Sequence, residues 1–353
     1  MRPMFLLMKI LLEKPKLKIN IKILKYKGNM KMTQTDKKGI AVAGTILLDK
    51  INEISAYPQC GELTKIQNVS FAVGGCVPNV AIDLKKISPE TEIFALGKIG
   101  NDSEGEFIIE NLVKNGVDVS GISVDETEKT SFTDVMSVVG GQRTFFTYLG
   151  ADSQFAACDV DFKKTTPQIL HLGYFLLLDK IDNGEGLKML KKAKEAGIKT
   201  SIDLVSENSD RYNLVIPCLP YVDYLIINET EAGKLAGMET TDENLELIAN
   251  KLRELGVREK VIIHMPEKAV CLSSNGYICV NSCELPKGYI KGTTGAGDAF
   301  CAGALIGIYK DFSDEEILKF GEACAIMALS TADATSGLKC ETEVKENYAR
   351  FIR

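Results

Sequence analysis

The chain is poor in the residues and spacings that mark metal sites. It has two histidines in 353 residues, and none of its ten cysteines lies three residues from another, so the ligand spacing of a zinc site is absent. We expect His171, inside a predicted strand, to be a packed or hydrogen-bonded histidine. Cysteines scattered through apolar segments are typical of free thiols in a reducing compartment, which indicates a cytoplasmic protein.

Positive charge and long apolar runs are also scarce. Asp and Glu outnumber Lys and Arg by 48 to 42, and the net charge of -6 provides no basic field for nucleic acid. No uninterrupted apolar run reaches the roughly 18 residues of a membrane span. We therefore expect neither a nucleic-acid nor a membrane partner. The patterns G-x-x-x-x-G-K-[ST] and G-x-G-x-x-G are missing too, which disfavours the nucleotide-binding folds that carry them.

Residues 1–37 differ in composition from the rest of the chain. They are rich in Lys and Met, and Lys9 interrupts their apolar patch. A signal peptide needs a longer apolar run and a small-residue cleavage site. We therefore expect a disordered extension or an upstream start, with Met30 or Met32 as the natural first residue. Residues 38–353 are then expected to form the folded domain.

The most informative stretch is residues 292–303, in which two glycines bracket an alanine directly before Asp298. Apolar residues follow at helical spacing, so the stretch predicts a glycine turn that leads into a buried helix. The first amides of a helix lack internal partners and lie at the positive end of its dipole, which suits a phosphate. A carboxylate there either caps the helix or accepts a proton from a hydroxyl that attacks a phosphoryl group. The residues alone leave both interpretations open.

The rest of the chain predicts an α/β protein. Residues 40–48 are an apolar run that predicts one buried strand. From residue 168 onward strands and helices alternate, which favours a mostly parallel sheet with helices on both faces. Residues 51–73 and 130–148 each predict an antiparallel hairpin, and the Asn-Gly pair at 275–276 predicts another.

Polar residues at the ends of these elements are candidate ligand contacts, because open α/β sheets bind ligands at the carboxyl ends of their strands. Asp49 follows the first predicted strand. Asp203 lies at the end of a later predicted strand, at residues 198–204, and is expected to be a structural residue or a neighbour of phosphates. Asn228 and Glu231 have the spacing of a helix capping box, so capping is the simple alternative to a ligand role. Arg143 lies in the second hairpin, where an exposed arginine is usually solvated.

Four separated motifs resemble those of the PfkB, or ribokinase-like, carbohydrate kinases. They are Gly-x-x-x-x-Asp at 44–49, Gly-Gly-x-x-x-Asn at 74–79, Asn-x-x-Glu at 228–231 and Thr-Thr-Gly-Ala-Gly-Asp at 293–298. The resemblance covers roughly residues 39–345. It implies a ribokinase-like three-layer α/β sandwich with a mostly parallel central sheet and a small β-stranded lid from about residues 50–73 and 130–150.

The resemblance also implies an activity, namely transfer of the γ-phosphoryl group of ATP to a primary hydroxyl of a carbohydrate, with Mg²⁺. Asp298 would be the general base, and the anion hole would comprise Gly295, Ala296 and Gly297. The implied substrate-binding residues are Asp49, Gly74, Gly75, Asn79 and Arg143. The implied cofactor-binding residues are Asn228, Glu231, Thr294 and Gly297, with Glu231 organising the metal ion.

Alternatives and departures accompany this resemblance. A nucleoside kinase of the same fold, acting on an adenosine-like substrate, is one alternative, and a sugar-binding relative without turnover is another. Pro266 and Ala269 stand where relatives usually carry glycines near the nucleotide. Gly292 stands where many members carry an Asp that helps hold a monovalent cation, so we expect weak or absent activation by K⁺. Lids of relatives cover the sugar and often form a dimer interface, which implies a homodimer through the lid.

Overall fold

The structure is a computed structural model that describes residues 37–138, 141–207 and 209–352. Residues 1–36 lie outside the described residues, so the expectation for the N-terminal segment stays a prediction. Among the helices of the described ranges, none combines the length and the apolar character that crossing a bilayer requires.

The strands form a nine-stranded sheet in the order β13-β12-β11-β10-β9-β8-β1-β4-β5 and a four-stranded sheet in the order β3-β2-β6-β7. Their bounds are β1 Ile40–Ala43, β2 Leu47–Ile54, β3 Ile66–Gly74, β4 Ile93–Gly100, β5 Asp118–Asp125, β6 Ser131–Val138, β7 Arg143–Tyr148, β8 Ile169–Phe175, β9 Lys199–Leu204, β10 Tyr224–Asn228, β11 Lys260–His264, β12 Lys268–Ser273 and β13 Gly276–Asn281. The predicted hairpin at the Asn-Gly pair is confirmed, since β12 and β13 pair antiparallel across it.

The helices connect and cover the strands of the large sheet. Their bounds are α1 Cys76–Ile87, α2 Ser103–Lys114, α3 Phe162–Thr165, α4 Gly186–Glu195, α5 Glu229–Ala236, α6 Leu245–Glu254, α7 Ala296–Tyr309, α8 Asp314–Leu329 and α9 Glu341–Ala349.

The large sheet is parallel from β5 to β11 and ends in two antiparallel pairings, β11 with β12 and β12 with β13. Alternate residues of a strand point to opposite faces. Accordingly, Ile40 and Val42 pack in the cluster that includes α1, α7 and α8, whereas Ala41 and Ala43 pack in the cluster that includes α4 and α6. Helices therefore cover both faces, and the prediction of a three-layer α/β fold is confirmed.

The apolar run of residues 40–48 is not one strand, so that prediction was wrong. The chain leaves the large sheet at Gly44 and enters the small sheet with β2. The amide of Ile46 donates to both carboxylate oxygens of buried Asp152, at 3.0 and 3.2 Å, which holds the crossing in place. Asp49 consequently lies inside a strand of the small sheet. Apolar periodicity shows burial, but it does not show where a chain changes sheets.

The small sheet takes its strands from two separate segments. Strands β2 and β3 form one antiparallel pair, β6 and β7 form another, and β2 pairs parallel with β6 between them. The outer strands β3 and β7 are exposed along most of their length. Phe71, Phe145 and Phe146 are 55%, 61% and 59% exposed on these strands. The small sheet thus presents apolar side chains to solvent on both of its edges.

Candidate active site

A cavity of about 190 Å³ lies where strands β8, β9 and β10 end and helix α7 begins. We call it the polar cavity. This is the edge at which open α/β sheets bind ligands. Its lining comprises Tyr174, Asp203, Leu204, Val205, Ser206, Ile226, Asn228, Glu231, His264, Gly295, Gly297, Asp298 and Cys301.

Asp298 is a buried carboxyl group in the first turn of α7, with 6% of its surface exposed. Its Oδ2 accepts hydrogen bonds from Asn79 Nδ2 at 2.9 Å and from the Tyr174 hydroxyl at 3.0 Å. The N-cap is Gly295, so the interpretation of Asp298 as the helix cap was wrong. Burial and the negative charge of Asp203 raise the pKa of Asp298 to about 7, against the opposing effect of its two hydrogen bonds. A carboxyl group with this pKa can accept a proton near neutral pH.

The turn before α7 brings backbone close to the cavity. Gly295 has a φ of +80°, and a Cβ at this position would lie 2.6 Å from the Cα of Ala334, so both conformation and packing require glycine. A Cβ on Gly297 would meet only His264 within 4 Å, at 3.7 Å, so Gly297 leaves room for a ligand beside the backbone. The Ala296 amide already donates to a carbonyl of the turn at 3.3 Å. The first-turn amides nearest the cavity have no acceptor within the helix.

Asn228 and Glu231 cap helix α5 and line the polar cavity at the same time. The backbone N–H of Asn228 donates to Glu231 Oε2 at 3.1 Å, and the backbone N–H of Glu231 donates to Asn228 Oδ1 at 2.9 Å. Ser206 donates to Glu231 Oε1 at 2.8 Å and accepts from Asn228 Nδ2 at 2.7 Å. Burial raises the pKa of Glu231 to about 7. The predicted capping box is confirmed, and it holds a carboxylate at the cavity wall.

A chain of contacts links the small sheet to Asp298. A Cβ on Gly74 would lie 2.4 Å from Asp49 Oδ2, so this glycine lets the carboxylate lie against the backbone. Gly75 caps α1 with a φ of +90°, and its carbonyl accepts from the Asn79 amide at 3.2 Å. Asn79 in turn donates to Asp298. Burial raises the pKa of Asp49 to about 6.

One of the predicted site residues, Arg143, lies apart from this arrangement. Thr133 of β6 pairs with Asp49, whereas Arg143 pairs with Ser137, four residues farther along β6. At about 3.3 Å per residue this places Arg143 roughly 13 Å along the sheet from Asp49. The side chain of Arg143 is exposed. The structure does not place Arg143 at the polar cavity. Thr294 is exposed too, in the turn directly before Gly295, which lines the polar cavity.

A second cavity, of about 490 Å³, adjoins the first and shares Asn228, His264 and Gly297 with it. We call it the apolar cleft. Its apolar walls include Met265, Pro266, Ala269, Cys283, Leu285, Ile290, Phe300, Ala325, Ile326 and Leu329. His264 stacks on Phe300 with 4.7 Å between ring centroids, and burial lowers the pKa of His264 to about 4. A slot with apolar walls and polar groups at one end suits a flat ring system joined to a polar chain.

Sequence reasoning missed Tyr174 at this site. The residue has a φ of +54°, which is unusual for a residue other than glycine and is a feature that concentrates at functional sites. Asp203 Oδ1 accepts a hydrogen bond from the Tyr174 amide and thereby holds this conformation. The signal that could have identified Tyr174 is its place at the end of a predicted strand, directly after Gly173.

Residues 38–340 match the pfkB family carbohydrate kinases. The ribokinase of Arabidopsis thaliana is 27% identical over 301 residues, which cover 84% of this chain and 77% of the relative. Fructokinase-2 of Oryza sativa subsp. japonica is 25% identical over 321 residues, which cover 84% of this chain and 89% of the relative.

Solved structures share the fold. The structure of Arabidopsis thaliana ribokinase complexed with ribose and ATP matches with a TM-score of 0.77 at 23% identity, covering 89% of this chain and 99% of that one. The nucleoside kinase of Methanocaldococcus jannaschii matches with a TM-score of 0.72 at 18% identity, covering 89% and 100%. Because the family match spans most of the sequence, this chain belongs to the pfkB family of carbohydrate kinases, which are ATP-dependent phosphotransferases with a hydroxyl acceptor.

Proposed function

We propose that the protein transfers the γ-phosphoryl group of ATP to a primary hydroxyl of a sugar, with Asp298 as the general base. The supporting observation is a buried carboxyl group with a pKa of about 7 at the start of α7, beside two adjoining cavities. Within the described ranges both hydrogen bonds to this carboxyl group go to Oδ2. Oδ1 is therefore the oxygen that remains to accept the proton of the attacking hydroxyl.

The two cavities suggest how ATP lies. The apolar cleft would take the adenine ring and the polar cavity the phosphates, with Gly297 at the junction. The phosphoryl group would then face the N-terminus of α7, where the first-turn amides and the helix dipole favour negative charge. Charge that builds up during transfer would be stabilised there. The backbone of Gly295, Ala296 and Gly297 would supply this environment.

The polar cavity suits Mg²⁺ on the chemistry of its donors. Asp203 and Glu231 are carboxylates at its wall, and Asn228 adds an amide beside them. Mg²⁺ prefers oxygen ligands and keeps several waters, so one or two carboxylates suffice. The ion would neutralise charge on the phosphates. Hydrogen bonds from the Ser206 hydroxyl and from the backbone N–H of Asn228 hold the Glu231 carboxylate in place for organising these waters.

On the sugar side, we assign Asp49, Gly74, Gly75 and Asn79 to substrate binding. Asp49 is a partly buried carboxyl group next to the glycine turn, and such a group can accept hydrogen bonds from sugar hydroxyls. The small sheet would act as a lid over this site. Its exposed Phe71, Phe145 and Phe146 suit a homodimer in which two lids pack together.

A sugar is favoured over a nucleoside because the sequence relatives named above are a ribokinase and a fructokinase. The test is a screen of pentoses, hexoses and nucleosides with MgATP, in which formation of ADP is followed in a coupled assay. Asp298→Asn serves as the matched control for contaminating kinase activity. We expect sugar-dependent ADP formation that the control lacks and a phosphomonoester on a CH₂ carbon by ³¹P–¹H correlation. Turnover with nucleosides alone, or with no acceptor, would contradict the proposal.

A further inference from the structure

A buried group of three potential metal ligands lies against the polar cavity. His171 on β8, Asp203 on β9 and Cys301 on α7 each offer one ligand atom, and these atoms lie within 4.8 Å of one another. The Nε2 atom of His171 is 3.4 Å from Asp203 Oδ2 and 3.5 Å from Cys301 Sγ. All three side chains are buried, at 0%, 8% and 2% exposure. The structure thus assembles ligand types that no short spacing in the sequence indicates.

We propose that His171, Asp203 and Cys301 form a binding site for a soft divalent cation of the Zn²⁺ class. Tetrahedral zinc bonds to nitrogen, oxygen and sulfur place the ligand atoms about 3.4 to 3.6 Å apart. The two distances from Nε2 already have these values. Closing the third edge, between Asp203 and Cys301, requires at most a small movement of the two side chains.

The surroundings of His171 suit a metal ligand. Its Nδ1 lies 3.1 Å from the Ser201 hydroxyl, so an Nδ1 proton can be donated there. The lone pair of Nε2 then faces both Asp203 and Cys301, as in metal sites whose histidine is oriented by a hydrogen bond from its other nitrogen. This contact also confirms the expectation of a hydrogen-bonded histidine. In the tautomer that donates its Nδ1 proton to Ser201, Nε2 accepts from the Cys301 thiol, and binding of the cation releases this thiol proton to solvent.

The charges of the three ligands and their position beside the polar cavity also suit a divalent cation. A thiolate and a carboxylate together balance the two charges of the cation, and the imidazole stays neutral. Asp203 and Cys301 both line the polar cavity, which leaves a fourth position for water. A hard ion such as Mg²⁺ binds nitrogen and sulfur ligands weakly, so the site should prefer Zn²⁺ to Mg²⁺. Asp203 is shared with the proposed phosphate region, so the occupied site would inhibit phosphoryl transfer.

Metal binding tests the site without relying on the proposed function. The chelator-treated full chain is dialysed against Zn²⁺ in excess Mg²⁺, which saturates oxygen-rich sites, and binding of Co²⁺ is followed by the thiolate charge-transfer band. Cys301→Ser removes the sulfur ligand, and Cys324→Ser removes another buried thiol, on α8, as the matched control. Exposed cysteines such as Cys60, Cys158 and Cys279 are common to all samples.

We expect one tightly bound Zn²⁺ per chain in the parent and in Cys324→Ser, and loss of both the tight binding and the thiolate band in Cys301→Ser. Ser201→Ala should keep the band and weaken binding by about tenfold or more, the usual effect of removing an orienting partner. Equal binding by the parent and Cys301→Ser, or a parent complex without the thiolate band, would refute the site.

Melting curves report whether each variant is folded. If Cys301→Ser does not fold, the weaker Zn²⁺ binding expected of Ser201→Ala tests the site instead. Inhibition of phosphoryl transfer is measured for each protein relative to its own rate without Zn²⁺. This inhibition experiment, unlike the binding experiment, rests on the proposed function. We expect Zn²⁺ to inhibit the parent and Cys324→Ser at concentrations that do not affect Cys301→Ser. Equal inhibition of all three would contradict the link to phosphoryl transfer even if the metal binds.

Discussion

Replacing Tyr174 by Phe should raise the pKa of Asp298 and move the acidic limb of the pH–rate profile to higher pH. The Tyr174 hydroxyl donates to Asp298 Oδ2 at 3.0 Å, and this bond stabilises the ionised carboxylate. A hydrogen bond to a charged group contributes about 1.5 to 3 kcal/mol, and one pKa unit corresponds to about 1.4 kcal/mol. Loss of the hydroxyl should therefore raise the pKa by about one to two units.

The consequence for rate follows from the role of the base, which works only when it is deprotonated. At pH 7 about half of the parent enzyme carries an ionised Asp298, because its pKa is about 7. An increase of one to two units leaves about 1 to 10% ionised, so kcat/KM at pH 7 should fall about 5- to 50-fold. The rate should recover as the pH rises above the new pKa.

Replacing Asp203 by Asn should have the opposite effect on the acidic limb of the pH–rate profile. The negative charge of Asp203 raises the pKa of Asp298, so its removal should move the acidic limb to lower pH. The assay is kcat/KM for the sugar against pH at saturating MgATP. Tyr348→Phe, which removes a hydroxyl from α9, is the control and should leave the limb unchanged. Identical limbs in the parent and both cavity variants would refute the assignment of this pKa to Asp298.

Four further predictions concern the remaining residues. Asp298→Asn should keep the fold and lower turnover by about 10²- to 10⁴-fold. Burial raises the pKa of Asp298 from 3.8 to about 7, so the folded parent loses stability as the pH rises from about 4 to 7. The Asn variant cannot ionise and should therefore melt at a higher temperature than the parent above pH 7. An unchanged rate, or a lower melting temperature of the variant above pH 7, would contradict the role of Asp298 as a buried general base. Asp49→Ala and Asn79→Ala should weaken sugar binding by roughly 1–3 kcal/mol while ATP binding persists, and titrations that show unchanged sugar affinity in both would place the sugar elsewhere. Deleting residues 1–29 should leave activity and melting temperature intact, because the segment lacks a sustained amphipathic pattern; a clear fall in either would show that it docks on the domain. Activation by K⁺ should be weak or absent, because Gly292 has no side-chain oxygen and a Cβ there would lie 3.0 Å from the Thr331 carbonyl; a many-fold rate increase, when K⁺ replaces a bulky organic cation at constant ionic strength, would contradict it.

Local features of this protein could be predicted from the sequence because each depends on neighbouring residues. The alternation of strands and helices predicted a mostly parallel sheet with helices on both faces. The Asn-Gly pair predicted the hairpin of β12 and β13, and Asn228 with Glu231 predicted the capping box of α5. The order of the four motifs indicated the family before any contact was known. The roles of the predicted site residues, Asp298 among them, stay predictions.

Tertiary structure decided what depends on residues far apart in the chain. Asp298 accepts hydrogen bonds from Asn79 and Tyr174, which lie 219 and 124 positions away, and its pKa depends on burial among several elements. The change of sheet at residues 44–46 is held by Asp152, 106 positions beyond Ile46. Desolvation and the meeting of side chains from different strands are properties of the packed chain, so no spacing in the sequence contains them. For the same reason a sequence without zinc-site spacing brings His171, Asp203 and Cys301 together, because parallel strands place residues from distant segments at one edge of the sheet.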